Sequence, residues 1–266
     1  MTLPAPTPWN TDPAVTARLA LSCLDLTSLN DADTEADIAR LCEQAQGPHG
    51  PVAAVCVWPR LAAFARLQLP AHIAVAAVAN FPDGSADSER AVRDTQAIVD
   101  SGAQEVDVVL PYQRLLAGDD QTALELLLAV RKASKGLTLK VILETGELQT
   151  PAQIARACRI ALDSGADFLK TSTGKTPVSA SPEAARIILR AIANDPAASG
   201  SVGFKPSGGI RTVADAAVYI ALCSELLGPQ ALTPHRFRIG ASSVLNDIEA
   251  ILGGAPKTSP STAGSY

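Results

Sequence analysis

The sequence predicts an α/β protein, a single (β/α)8 barrel of the TIM type, on three observations. Its 266 residues match one such barrel, typically roughly 250 residues, and leave little room for a second full domain. Short β-rich runs alternate eight times with segments of helical period. Hydrophobic residues make up 47% of the chain and aromatics only 4%, so the core is built mainly from Ala, Val, Leu and Ile, as suits parallel strands covered on both faces.

The first run is LALSCLDLT, residues 19–27. A helix over 34–45 follows, opened by Asp33 or Thr34, with Ile38, Leu41, Cys42 and Ala45 on one face. The second, third and fourth strands are 52–58, 73–79 and 105–110. The fifth, 138–144, precedes a helix announced by Thr150-Pro151, and the sixth, 167–172, one announced by Ser181-Pro182-Glu183. The seventh, 201–206, leads to a helix opened by Thr212, and the eighth, 237–242, runs through Gly-Ala-Ser-Ser into the last helix. An open doubly wound sheet is the alternative, but such sheets usually have fewer strands, and no G-x-G-x-x-G follows the first run. Outside the repeat, residues 1–16 read as a Pro-rich N-terminal extension, 17–253 as the barrel, and 254–266 as a mobile C-terminal tail rich in Gly, Pro, Ser and Thr.

Composition narrows the function. A net charge of -5 argues against a broad basic surface for nucleic acid. The five cysteines form no C-x-x-C pair, which suggests neither a disulfide framework nor a zinc ribbon and points to a reducing cytoplasm. The apolar stretch Leu19 to Leu24 is too short for a signal peptide or membrane span. His49, His72 and His235 are isolated and lack metal-ligand spacing, so no metal site is expected. A Cys-His nucleophile is disfavoured for the same reason, with Cys56 left as a reactive bystander near the end of the second strand.

The informative residues are charges that interrupt apolar strands: Asp25, Asp107, Lys140, Lys170 and Lys205. Side chains alternate along a strand, so apolar neighbours face the helices while these five face the barrel interior or its mouth. Lysine is scarce, seven against fifteen arginines, yet Lys140, Lys170, Lys175 and Lys205 fall at strand ends or just beyond. Arginine cannot lose its proton, whereas a lysine of lowered pKa becomes a nucleophilic amine. Neutrality near pH 7 requires a shift of about 3 units, or ~4 kcal/mol, and a second ammonium ~4 Å away at an effective dielectric of ~20 supplies ~4 kcal/mol. The bland alternative is that these lysines pair with Asp25, Asp107 and Glu144 and only hold strands in register.

The loops TSTGK, PSGGIRT and GASS follow the last three strands. Gly174, Gly208, Gly209 and Gly240 would let backbone N–H groups approach an anion, and Ser242 and Ser243 stand where a helix N-terminus could face phosphate.

The segments at 24–34, 105–112, 140–148, 167–175 (DFLKTSTGK), 202–212 (VGFKPSGGIRT) and 240–243 resemble, in order and spacing, the deoxyribose-phosphate aldolase family. The resemblance spans nearly the whole chain. It implies reversible cleavage of 2-deoxy-D-ribose 5-phosphate to acetaldehyde and D-glyceraldehyde 3-phosphate without metal or organic cofactor. It implies Lys170 as the Schiff-base lysine, Lys205 as the lysine that keeps its pKa low, and Asp107 as a proton-transfer carboxylate. Thr173, Gly174, Lys175, Gly208, Gly209, Ser242 and Ser243 match substrate and phosphate contacts, and Asp25, Thr27 and Gly240 are expected in the same binding set. Tyr266 matches a C-terminal tyrosine that carries protons to the site. Association into a homodimer or other homo-oligomer is expected, with small phosphosugars and aldehydes as ligands. Two rivals stay open at this point: another phosphosugar barrel, aldolase or isomerase, and a catalytically silent sugar-phosphate-binding protein.

Overall fold

A computed structural model describes residues 12–254. Within them, eight parallel strands run in chain order: β1 (Leu24–Thr27), β2 (Ala54–Val57), β3 (Ala74–Ala79), β4 (Glu105–Val109), β5 (Thr138–Ile142), β6 (Phe168–Lys170), β7 (Gly203–Lys205) and β8 (Ile239–Ala241). Each pairs with its successor from β1 to β7, and β1 also pairs with β8. Phe204 bridges to Phe237 and Ser207 to Gly240, which closes the ring between β7 and β8. All eight strands fall within the runs read from the sequence.

The helices are α1 (Pro13–Ser22), α2 (Glu35–Gln44), α3 (Pro59–Gln68), α4 (Ser88–Asp100), the short α5 (Tyr112–Leu116), α6 (Asp120–Ala133), α7 (Pro151–Asp163), α8 (Pro182–Asn194), α9 (Val213–Leu227) and α10 (Val244–Leu252). Thr34, Thr150 and Thr212 cap α2, α7 and α9 in capping boxes, and Ser181 caps α8. These reciprocal bonds satisfy first-turn N–H groups that a helix leaves without partners. Ile38, Leu41, Cys42 and Ala45 are all buried, as the helical spacing requires.

One boundary moves. Residues 19–22 are helix, not strand, because α1 begins at Pro13: Asp12 accepts from the Ala14 N–H, and Thr16, Ala17, Ala20 and Leu21 bury one face. Residues 13–16, expected in the N-terminal extension, are thus part of α1, which packs against α9 and α10; residues 1–11 lie outside the described residues. The tail expected from 254, with Tyr266, lies outside the described residues apart from Gly254. Among the described residues no helix is long and apolar enough to cross a membrane.

Candidate active site

Parallel register brings the sequence-predicted charges together. Asp107 stands opposite Lys140, and Lys170 opposite Lys205. All four, with Asp25, are at most 2% exposed. Lys170 donates to Asp107 Oδ2 at 2.7 Å, and Lys205 donates to the same oxygen at 2.8 Å. The two amines thus share one carboxylate oxygen.

Beneath them lies an ion lattice that only the fold makes visible. Lys205 also donates to Asp25 at 2.5 Å, and Lys140 binds Asp107 at 2.9 Å and Glu105. Arg238 reaches Asp25 at 2.6 Å and Glu105 at 2.7 Å. Three carboxylates, Asp25, Glu105 and Asp107, are matched by three cations, Lys140, Lys205 and Arg238. Lys170 is the fourth amine or guanidine here, and this lattice, which does not include the separately hydrogen-bonded Glu144, sums to zero when Lys170 is neutral.

The direction of each shift follows this balance. Burial holds Lys170 below the ordinary lysine range; Asp107 opposes that and Lys205 adds to it. Burial also acts against charge on Lys205, but Asp107 and Asp25 outweigh it and raise its pKa. Lys140 is raised in the same way by Asp107, Glu105 and Asp25. Desolvation acts against the Asp107 carboxylate, yet Lys140, Lys170 and Lys205 hold it well below the usual range. The sequence suggests that crowding by a second ammonium suffices, but here Asp107 opposes it and burial is the larger cause.

Other expected residues take more varied places. Asp25, expected among the binding residues, is fully buried with both oxygens on cations, so it supports Lys205 from below. Thr27 donates to the Asp25 carbonyl. Gly240 gives its N–H to Pro206 at 2.9 Å, so it is not available to an anion; a Cβ there would lie 2.6 Å from Ser207 Oγ and 3.0 Å from Lys205 Cε. Its role is to let Lys205 pass. Gly174, Gly208 and Gly209 all have φ near +80°, and a Cβ on Gly208 would come 3.3 Å from Gly174 Cα, so the loops after β6 and β7 touch. The Gly208 N–H makes a long bond of 3.3 Å to the Gly240 carbonyl. Ser242 and Ser243 precede α10, whose first turn has no side-chain cap. Lys175 is exposed and its amine rests on the Leu29 carbonyl at 2.7 Å. Cys56 lies 4.0 Å from Asp107, and burial followed by that carboxylate raises its thiol pKa, which opposes thiolate reactivity.

Glu144 was set aside as a strand-register partner for lysine, and it has another place. Its φ of 56° puts a non-glycine residue in the left-handed region. It accepts from the Thr173 hydroxyl at 2.5 Å and from Thr176 at 3.2 Å, and burial raises its pKa against those bonds. Arg238 and Glu105 were not singled out from the sequence. Arg238 is followed by a strand at Ile239, and a charge at that spot resembles an ordinary strand-edge residue. The hydroxyls of Thr145 and Ser172 are buried without a hydrogen-bond partner among the described residues.

The arrangement can generate an uncharged amine beside a carboxylate that bridges it to a permanent cation. Such a set performs covalent carbonyl chemistry with proton transfer. No cluster of three or more His, Cys, Asp or Glu suited to a metal occurs among the described residues. Comparisons with known proteins agree with this chemistry. A protein named deoxyribose-phosphate aldolase from Agrobacterium fabrum is 46% identical over 245 residues, 91% of this chain and 93% of the relative. A Toxoplasma gondii crystal structure assigned as deoxyribose-phosphate aldolase superposes with a TM-score of 0.85 at 25% identity, over 92% of this chain and 96% of that one. A tetrameric deoxyribose phosphate aldolase from Aeropyrum pernix, 24% identical over 91% of this chain and 93% of its own, shares the fold with a TM-score of 0.70. The DeoC/LacD family aldolase pattern matches residues 19–248, and the chain belongs to that family.

Proposed function

We propose that this protein is a class I aldolase that reversibly cleaves 2-deoxy-D-ribose 5-phosphate to acetaldehyde and D-glyceraldehyde 3-phosphate. The observation that carries the reading is the buried set of Lys170, Asp107 and Lys205, in which Lys170 has a single carboxylate, Asp107, that it shares with Lys205 and Lys140, whereas those two each reach further carboxylates.

In the synthetic direction, the lone pair of neutral Lys170 Nζ attacks the carbonyl carbon of acetaldehyde. The resulting carbinolamine takes up a proton, loses water and becomes an iminium. Asp107 accepts a proton from the methyl carbon, directly or through water, leaving an enamine. That carbon forms the new bond to the aldehyde carbon of glyceraldehyde 3-phosphate, whose oxygen takes up a proton. Water then hydrolyses the iminium, and the amine is restored. Lys205 and Asp107 relay these protons, and Lys205 returns to its charged form after each transfer because Asp25 and Asp107 stabilise its ammonium. The loops at Gly174, Gly208 and Gly209, with Ser242 and Ser243 at α10, hold the phosphate; three positive-φ glycines and an uncapped helix start support that part. Lys175 and Thr173 orient the sugar beside them, and Asp25, whose carbonyl accepts from Thr27, acts on it through Lys205.

The same reading places the enzyme in a reducing cytoplasm, supported by five free, buried cysteines. Self-association involves the outer helices, where Leu67 and Leu128 are exposed. Light scattering tests that part.

Incubation with acetaldehyde and borohydride is the direct test. One reduced ethyl group on the peptide containing Lys170, and loss of both label and turnover in folded Lys170→Ala, are expected. A label on Lys205, or substantial turnover in Lys170→Ala, refutes the assignment.

A further inference from the structure

At the opposite end of the barrel from Lys170, the strands begin around a cavity of about 1270 Å3. The chain has three histidines, and all three line it: His49 after α2, His72 after α3, and His235 ahead of β8. They are far apart in sequence, and the fold gathers them on one face. Arg18 of α1 joins them, with Lys132 and Lys135 from the end of α6.

The charges around the wall do not balance. Its carboxylates are already matched, Glu105 by Arg238 at 2.7 Å and Asp167 by Arg131 at 2.8 Å. Arg18, Lys132 and Lys135 make no ion pair among the described residues. Three unmatched cations thus surround one concavity in a chain of net charge -5, and the imidazoles add N–H donors. Focused positive charge in a cleft raises the local concentration of anions. The volume exceeds what a single phosphate needs, and the cations come from two separate elements.

We propose that this cavity is a binding site for a compact polyanion of the di- or triphosphate class, distinct from the catalytic mouth. Lys132 and Lys135, beside the start of β5, hold it, while Arg18 and the histidines line the facing wall. Its floor includes Glu105 and Arg238 of the ion lattice beneath Lys170, but the proposal does not rest on the reaction proposed there.

The test uses the full chain and tripolyphosphate as probe, with imidazole resonances recorded by NMR. Because every histidine of the chain lines this cavity, these signals report on it without interference from the catalytic mouth. Saturable shifts of the three histidines are expected, with affinity falling at least roughly tenfold in Lys132→Ala/Lys135→Ala, whose two exposed substitutions leave aldol turnover unchanged. Resonances that do not move, shifts that never saturate, or undiminished affinity in the double variant overturn the proposal.

Discussion

Lys170 and Lys205 are chemically identical side chains on adjacent strands, paired in register and bonded to one oxygen, yet their pKa values move in opposite directions. The difference is Asp25, which touches Lys205 at 2.5 Å and is out of reach of Lys170. In the proposed mechanism Lys170 works as the free base, so kcat/KM should fall as pH drops through its pKa. In Lys205→Leu a neighbouring cation is gone and Asp107 is left more to Lys170; both effects raise the Lys170 pKa. The acid limb of the kcat/KM profile should therefore move to higher pH, and a pH series on the purified variant checks it. An unmoved limb with a reduced rate would mean that Lys205 acts only in proton relay. The three central residues were legible because a charge flanked by apolar neighbours at a two-residue period is conspicuous. Arg238 was not: its partners lie 213 and 133 residues away, and no local pattern encodes such pairing.

Elements were legible where start signals were sharp. Thr150-Pro151 and Ser181-Pro182 marked their helices, and Asp12-Pro13 is the same signature. It was obscured by the apolar run after it, in which Ala17, Ala20 and Leu21 follow helical spacing but lead without a turn residue into the alternating residues of β1. Gly240 shows the opposite limit. As a glycine before Ser-Ser it reads as an anion loop, whereas on β8 it makes room for a side chain from β7. Gly240→Ala would push the added methyl against Ser207 and the Lys205 stem. The expected result is a kcat lower by tenfold or more, with KM for the phosphosugar changed far less, because the disturbance falls on the amines. A rise confined to KM would return Gly240 to the phosphate site.

For the whole molecule, the lattice of Asp25, Glu105 and Asp107 against Lys140, Lys205 and Arg238 separates activity from stability. Lys140→Met leaves Glu105 and Asp107 short of a partner in a fully buried place, and breaking a buried pair costs about 3 kcal/mol or more. Lys170→Met removes the surplus cation and should leave the urea midpoint at pH 7 unchanged or slightly higher. Equal losses in the two variants would show that Lys170 is charged in the resting protein.

The ring is completed differently from how it is built. β3, β4 and β5 share long continuous ladders, while β7 hands over to β8 through single bridges at Phe204 and Ser207. That join stands beside Lys205, so the barrel should breathe first next to its chemistry. Deuterium ought to enter the amides of Phe204, Arg238 and Gly240 ahead of those in the β3–β5 staves, and a bound sugar phosphate that clips the neighbouring loops together ought to slow its entry.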